Sequence, residues 1–263
     1  MPVCSSPSSC WALRVAAVRA RGALDAAVAV ADSRLDPPGL AALRAEFPAV
    51  PLHLGEFDPT LLAKAARLLV SPGVAVATPA IAAAAAQGVP IWGDIELLAR
   101  LTRVPVAAIT GSNGKSTVTT LLGEMAQRAA MAAAVGGNLG TPALELWLAQ
   151  EKGADAAKPL AAYVLELSSF QLETTSSLNA RVATVLNISP DHMDRYDTLD
   201  DYIAAKRRIF RGGGVMVLNA DDPTVAAMAE PGRQIVRFTL AEPNEGDFGL
   251  RQRAGEAWLG RGA

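Results

Sequence analysis

The chain has 263 residues, 51% apolar and only 5% aromatic, with 24 basic against 26 acidic side chains. That length supports one large core or two modest ones, two being the better expectation, and the near-balanced charge gives no reason to expect nucleic-acid binding. No apolar run is long enough to cross a bilayer without charges or prolines, and Cys4 and Cys10 alone exclude a disulfide framework and fit a reducing cytoplasm.

Residues 1–21 are rich in Ser, Ala and Arg and lack acidic side chains. Organelle transit peptides share that composition, and so does an exposed helix face carrying Arg14, Arg19 and Arg21. From residue 27 strands and helices alternate. Residues 28–31 read as a strand ending in Asp32-Ser33-Arg34, Pro37-Pro38-Gly39 opens a helix through Phe47, and residues 51–54 form a second strand. Residues 61–67 are expected to be helical, 68–70 run into the turn Ser71-Pro72-Gly73, Pro79 starts an alanine-rich helix to Gly88, and 89–92 are a further strand. This rhythm predicts a mostly parallel sheet with ligands beyond the carboxyl ends of its strands, where Ser33, Arg34 and Ser71 fall.

A second unit begins near residue 101, dividing the chain into residues 1–100 and 101–263. Its first strand runs into Gly111-Ser112-Asn113-Gly114-Lys115-Ser116-Thr117 at the mouth of a helix. Such a loop grips phosphate: Gly111 and Gly114 let backbone N–H groups turn inward, Lys115 can reach terminal phosphates, and the Ser116 hydroxyl is placed to ligate Mg²⁺. Ile109 stands where the longer pattern has glycine, so the loop is the shortened Gly-x-x-Gly-Lys-Ser-Thr form. A helix from 115 to about 131, a loop at Gly136-Gly137-Asn138 and a polar linker over 150–158 follow. The continuous apolar runs 162–167, 182–188 and 215–218 predict buried parallel strands, and strand-like residues 235–240 come last, with no evident closing element.

Glu166 interrupts one of those runs near a strand's carboxyl end, where a buried carboxylate needs a metal or a salt bridge. His192 lies in Asn187-Ile188-Ser189-Pro190-Asp191-His192-Met193-Asp194, also at a carboxyl end; a lone histidine there reads as a ligand or as a satisfied polar residue, and His53 only as the latter. Thr198 can cap a helix whose apolar stripe is Leu199, Tyr202, Ile203, Ile209 and Phe210, with Lys206 on the same face and Arg207 and Arg208 on the solvated side. Burial would lower the pKa of Lys206 and favour the free amine, which reacts with CO₂ to give a carbamate; a lysine snorkelling past the helix edge is the alternative.

Together these segments resemble the Mur ligase family. The resemblance rests on the phosphate loop, Gly136-Gly137-Asn138, Leu-Glu-Leu-Ser-Ser-Phe-Gln-Leu-Glu at 165–173, Asn-Ile-Ser-Pro-Asp-His-Met-Asp-Arg-Tyr at 187–196 and Ala-Lys-Arg-Arg-Ile-Phe at 205–210. Upstream, Asp32-Ser33-Arg34, Pro37-Pro38-Gly39, Ser71-Pro72-Gly73 and Gly93-Asp94-Ile95-Glu96 look like the family's uridine-nucleotide domain. The resemblance implies an α/β fold: a Rossmann-like N-terminal domain (1–100, atypical over 1–27) and a P-loop-type parallel-sheet ATPase domain (101–263), without the third, C-terminal domain.

The activity so implied is ATP-dependent amide ligation in peptidoglycan precursor synthesis, adding D-glutamate to UDP-N-acetylmuramoyl-L-alanine through an acyl phosphate. Lys115 would stabilise the transferring phosphoryl group, Ser116 and Glu166 would hold one Mg²⁺, and His192 with a carbamylated Lys206 a second. Asn138 and Ser168 would touch substrate, and Ser33 and Arg34 the uridine diphosphate moiety. A cytoplasmic monomer with no nucleic-acid partner and no membrane insertion is implied as well. Two other readings stay open: a truncated fragment retaining only nucleotide binding, and a folylpolyglutamate-synthase-like ligase, against which the Ser-Ser-Phe-Gln run and the Asp32-Ser33-Arg34 segment argue.

Overall fold

The computed structural model describes residues 27–153, 159–253 and 255–263. Residues 1–21, where a transit peptide or an exposed helix was expected, and 154–158 of the expected linker lie outside the described residues.

The N-terminal part is built from two parallel strand pairs. Strand β1 (Val30–Asp32) pairs with β2 (Leu52–Leu54), and β3 (Leu68–Leu69) with β4 (Ile91–Trp92). Among the described residues these remain separate two-stranded sheets with their own small cores, one around Val30, Leu43 and Val50, the other around Leu62, Ile81 and Ala84. Helix α1 (Leu40–Glu46) connects the first pair; α2 (Pro59–Ala63) and α3 (Pro79–Ala86) flank the second. Helix α2 starts two residues before the expected Leu61 and ends at Ala63, because the Asp58 carboxylate accepts from the Thr60 N–H (2.8 Å) and Pro59 suits a first turn.

Helix α4 (Asp94–Leu101) follows. The sequence division puts it in the first unit, yet its Ile95, Leu97 and Leu98 are buried in the large core of the second, beside Val106, Leu144, Tyr163 and Leu165. Its two carboxylates make the junction. Glu96 accepts from the N–H groups of Ser176 and Ser177 (2.6 and 2.7 Å), from both serine hydroxyls and from Arg100 Nε. Asp94 accepts from Gln171 Nε2 (2.7 Å), and its burial raises the pKa.

The second unit is an eight-stranded sheet of order β12-β11-β10-β9-β8-β5-β7-β6. Its strands are β5 (Val106–Thr110), β6 (Ala133–Gly137), β7 (Ala162–Glu166), β8 (Val182–Val185), β9 (Val215–Asn219), β10 (Ile235–Phe238), β11 (Phe248–Arg253) and β12 (Glu256–Arg261), and every ladder is parallel except β11 with β12. The connecting helices are α5 (Lys115–Arg128), α6 (Ala143–Gly153), α7 (Ser169–Glu173), α8 (Leu199–Arg207) and α9 (Pro223–Ala226).

Several expectations need correction. Gly136 and Gly137 close β6 rather than opening a loop, and α5 ends at Arg128. Residues 150–153 belong to α6, which Ala143, Leu144 and Trp147 bury against the core. The chain also continues past Phe238 into the β11–β12 hairpin, whose residues are mostly exposed. No helix among the described residues is long and apolar enough to cross a membrane.

Strand β5 is flanked by β7 on one side and β8 on the other, so the chain's crossovers diverge at its carboxyl end. In open α/β sheets this switch point forms the ligand crevice.

Candidate functional site

The phosphate-loop sequence lies at that switch point. Thr110, the last residue of β5, is buried and donates its hydroxyl to the Leu167 carbonyl (2.7 Å), tying β5 to the strand beside it. The Ser112 N–H donates to Asn187 O (3.0 Å), and its hydroxyl exchanges bonds with Ser189 N and O (2.9 and 3.0 Å). Asn113 and Asn187 pair reciprocally, main chain to side chain (2.8 and 3.1 Å). Gly114 then caps α5 at φ 78°, a left-handed conformation that glycine adopts freely. The loop is thus fixed against the 187–189 segment. Lys115 lies back across it, its Nζ donating to the carbonyls of Gly111 and Ser112 (3.0 Å each).

Glu166 ends β7 and is buried. Its Oε2 accepts from Ser116 Oγ (2.7 Å) and its Oε1 from Asn138 Nδ2 (2.7 Å). The Asn138 N–H also donates to Glu166 O (2.8 Å), so residues from the ends of β6 and β7 and the start of α5 share one carboxylate. Gly137 allows this approach. At φ 103° it sits opposite Glu166 in the ladder, and a Cβ there would overlap the Glu166 carbonyl oxygen.

Lys206 is buried and does not snorkel, so of the two readings of its place on the α8 stripe the buried one holds and the snorkelling one is corrected. Its Nζ donates to Gly111 O (2.9 Å), the same carbonyl that Lys115 holds, and lies 4.7 Å from the centre of the Tyr202 ring. Burial first, then the charge of Lys115, lower its pKa to about 7. Tyr202, read from sequence only as core, places its hydroxyl 3.0 Å from Ser112 Oγ. Leu199 leaves the predicted stripe and is exposed. Arg208, expected in solvent, is half-buried, donates to the Glu173 carbonyl and has its pKa lowered chiefly by burial.

His192 is not joined to this cluster by any hydrogen bond among the described residues, which also contain no group of three or more His, Cys, Asp or Glu side chains arranged to hold a metal. Its ring lies 4.8 Å from that of Phe170 and its Nε2 3.5 Å from Asp191 Oδ2, on a backbone at φ 55°. The neighbouring Asp191, which the sequence reading passed over, is one of the carboxylates whose field reaches Lys206. Arg195, quoted only as part of a motif, holds this corner. It donates to Pro72 O (3.1 Å) and to Glu173 (2.7 Å) and stacks over Phe170 at 4.4 Å, connecting the Ser71-Pro72-Gly73 turn to α7.

Ser168 is the N-cap of α7 in a capping box with Gln171. Arg34 donates to Asp32 (3.0 Å) at the end of β1, with Ser33 exposed between them; Thr117 and His53 are exposed. No hydrogen bond of the described residues links Ser33, Arg34 or Thr117 to the Glu166 cluster.

Comparison with known sequences decides what this arrangement belongs to. The Mur ligase middle-domain profile matches residues 109–255, and the MurD-like N-terminal-domain profile of Mur ligases matches 15–93. The chain belongs to the Mur ligase family. It is 57% identical over 236 residues to a UDP-N-acetylmuramoylalanine–D-glutamate ligase of Nitrosococcus oceani, covering 89% of this chain and 50% of that one. With the enzyme of the same name from Methylococcus capsulatus it shares 58% over 231 residues, covering 88% and 48%. The chain therefore spans about half the length of the curated relatives it matches.

Among solved structures, a UDP-N-acetylmuramate:L-alanyl-γ-D-glutamyl-meso-diaminopimelate ligase from Neisseria meningitides superimposes with a TM-score of 0.54 at 17% identity, covering 91% of this chain and 77% of that one. A murein peptide ligase from Psychrobacter arcticus gives 0.52 at 18%, covering 95% and 56%. Both show the shared Mur ligase α/β fold. The phosphate loop from Thr110 onward, Glu166, His192 and Lys206 all fall within the matched middle domain of this Mur ligase chain, and Ser33 and Arg34 within the matched N-terminal domain.

Proposed function

We propose that this chain carries the nucleotide-activating site of an ATP-dependent ligase that adds D-glutamate to UDP-N-acetylmuramoyl-L-alanine in the cytoplasm, acting as a monomer. The observation that supports this most is the convergence of Ser116, Asn138 and Glu166 beside a pre-formed phosphate loop. In the proposed reaction the alanyl carboxylate attacks the γ-phosphorus of ATP, the bond to ADP breaks, and the D-glutamate amine then displaces phosphate from the acyl phosphate. The N–H groups of residues 111–117 would cradle the phosphates, and Lys115 would exchange its two carbonyl partners for terminal phosphate oxygens.

The donor set fits Mg²⁺: Ser116 Oγ and the Glu166 carboxylate are hard oxygens already in contact. A cation there would neutralise charge on the transferring phosphoryl group. His192 and a carbamylated Lys206 would be the residues to hold a second cation. What supports carbamylation is a buried amine whose pKa of about 7 leaves much of it unprotonated at neutral pH. Asn138 and Ser168 would face the substrate, and Ser33 and Arg34 the uridine diphosphate.

Trapping the activated carboxylate tests this reading. With Mg·ATP, UDP-N-acetylmuramoyl-L-alanine and hydroxylamine, the chain is expected to yield a hydroxamate that needs both substrates and disappears in Lys115→Ala. ATP hydrolysis indifferent to the uridine nucleotide, with no hydroxamate, would contradict it.

A further inference from the structure

A second basic centre lies at the opposite end of the strands of the same sheet. Arg207 ends α8, Arg208 and Arg211 follow within one turn, and Arg233 precedes β10; with Gly212 and Glu230 they line an open cavity of about 450 Å³. It opens at the amino ends of β9 and β10, whereas the phosphate loop leaves the carboxyl end of β5.

The charge there is unbalanced. Four guanidinium groups face one carboxylate, Glu230, which pairs with Arg233 at 3.0 Å and more loosely with Arg207 at 3.6 Å. The nearby Glu173 carboxylate is held by Arg195 (2.7 Å). The remaining partners are neutral carbonyls: Arg208 donates to Glu173 O, Arg211 to Thr175 O (3.2 Å), and Arg233 to Phe210 O and Gly214 O (2.9 and 2.6 Å). Such bonds fix where the guanidinium planes point without neutralising them, and Arg233 Nε is buried with no hydrogen-bond partner. Repulsion between Arg208 and Arg211 adds to burial in lowering the pKa of Arg208.

We propose that this cavity is an anion site for a polyvalent phosphate-class ligand, separate from the nucleotide site. Pre-oriented guanidinium forks match phosphate oxygens bidentately, and an excess of three positive charges selects a multiply charged anion over a single carboxylate. Arg207 adjoins Lys206 in α8, so an anion bound here would also anchor the end of the helix that carries the buried lysine.

Inorganic pyrophosphate is the probe, and residue-resolved NMR separates the two sites. Titrating the full chain at low salt is expected to give saturable shifts at the amides of Gly212, Gly213 and Arg233, weakening as salt is added. The Arg207→Gln/Arg211→Gln double variant should lose at least tenfold in affinity at those amides while shifts at residues 111–117 persist. Glu230→Gln, which removes the one opposing charge, should tighten binding there. Shifts confined to 111–117, or affinities at 212–233 that neither variant changes, would overturn the proposal.

Discussion

Replacing Glu96 by Gln probes how the N-terminal part is fastened to the eight-stranded sheet. The Glu96 side chain is fully buried and accepts five hydrogen bonds, from two backbone N–H groups, two hydroxyls and Arg100. Burial alone raises its pKa, but the bonds from Ser176, Ser177 and Arg100 overcome that and hold the carboxyl at about 2 against an ordinary 4.5. Converted to free energy, this depression is worth about 3 kcal/mol. An amide cannot replace it, since its NH₂ must turn toward either the serine N–H groups or Arg100, which are donors themselves.

Because the folded pKa lies below the unfolded one, the contribution is complete above pH 4.5 and is lost as pH falls toward 2. Urea unfolding of wild type and Glu96→Gln should therefore differ by about 3 kcal/mol at pH 7 and by less than half of that at pH 3. Equal stabilities at pH 7, or a gap that does not change with pH, would show that the Glu96 carboxylate does not hold this junction.

Lys206 has the opposite sign: its folded pKa of about 7 lies below the unfolded 10.5, so the unfolded chain binds more protons between them and stability rises with pH across that interval. Lys206→Met should stabilise the fold at pH 7 by about 2–4 kcal/mol, a gain that urea unfolding shows shrinking by pH 10. Gly137→Ala forces a Cβ onto the Glu166 carbonyl at a left-handed φ and should cost about 2 kcal/mol or more in the same measurement. Arg195→Ala removes the bonds to Pro72 and Glu173; faster hydrogen exchange at the Val74 amide, which donates to Ser71 O, is the expected readout, with Arg195→Lys recovering only part of the protection.

The turn into α5 was legible because its glycines and Lys115 stand within seven consecutive residues, and the partnered state of Glu166 because a carboxylate in an apolar strand must be answered by something nearby. Their partnership with Asn138 depends on β6 and β7 being neighbours, a pairing that local pattern does not specify. The α8 stripe put Lys206 on the apolar face but could not choose between burial and snorkelling, because that depends on the carbonyl it shares with Lys115, which lies in another part of the chain. Arg208 was misplaced because helical spacing describes the helix alone, and the carbonyl it donates to lies in another helix. Asp94 and Glu96 were read as part of a nucleotide-domain motif; their partners, Gln171 and the two serines, lie about 80 residues downstream. The β11–β12 hairpin escaped notice because exposed residues such as Arg251, Gln252 and Arg253 carry no apolar alternation.

Calorimetric titration of the chain with ATP, with and without Mg²⁺, measures whether residues 111–117 and Glu166 form the proposed Mg·ATP site. Saturable binding is expected that needs the cation and weakens at least tenfold in Lys115→Ala and in Glu166→Gln, the loss of one charge-assisted contact being worth about 1.5 kcal/mol or more. An affinity that ignores Mg²⁺ and both substitutions would contradict it.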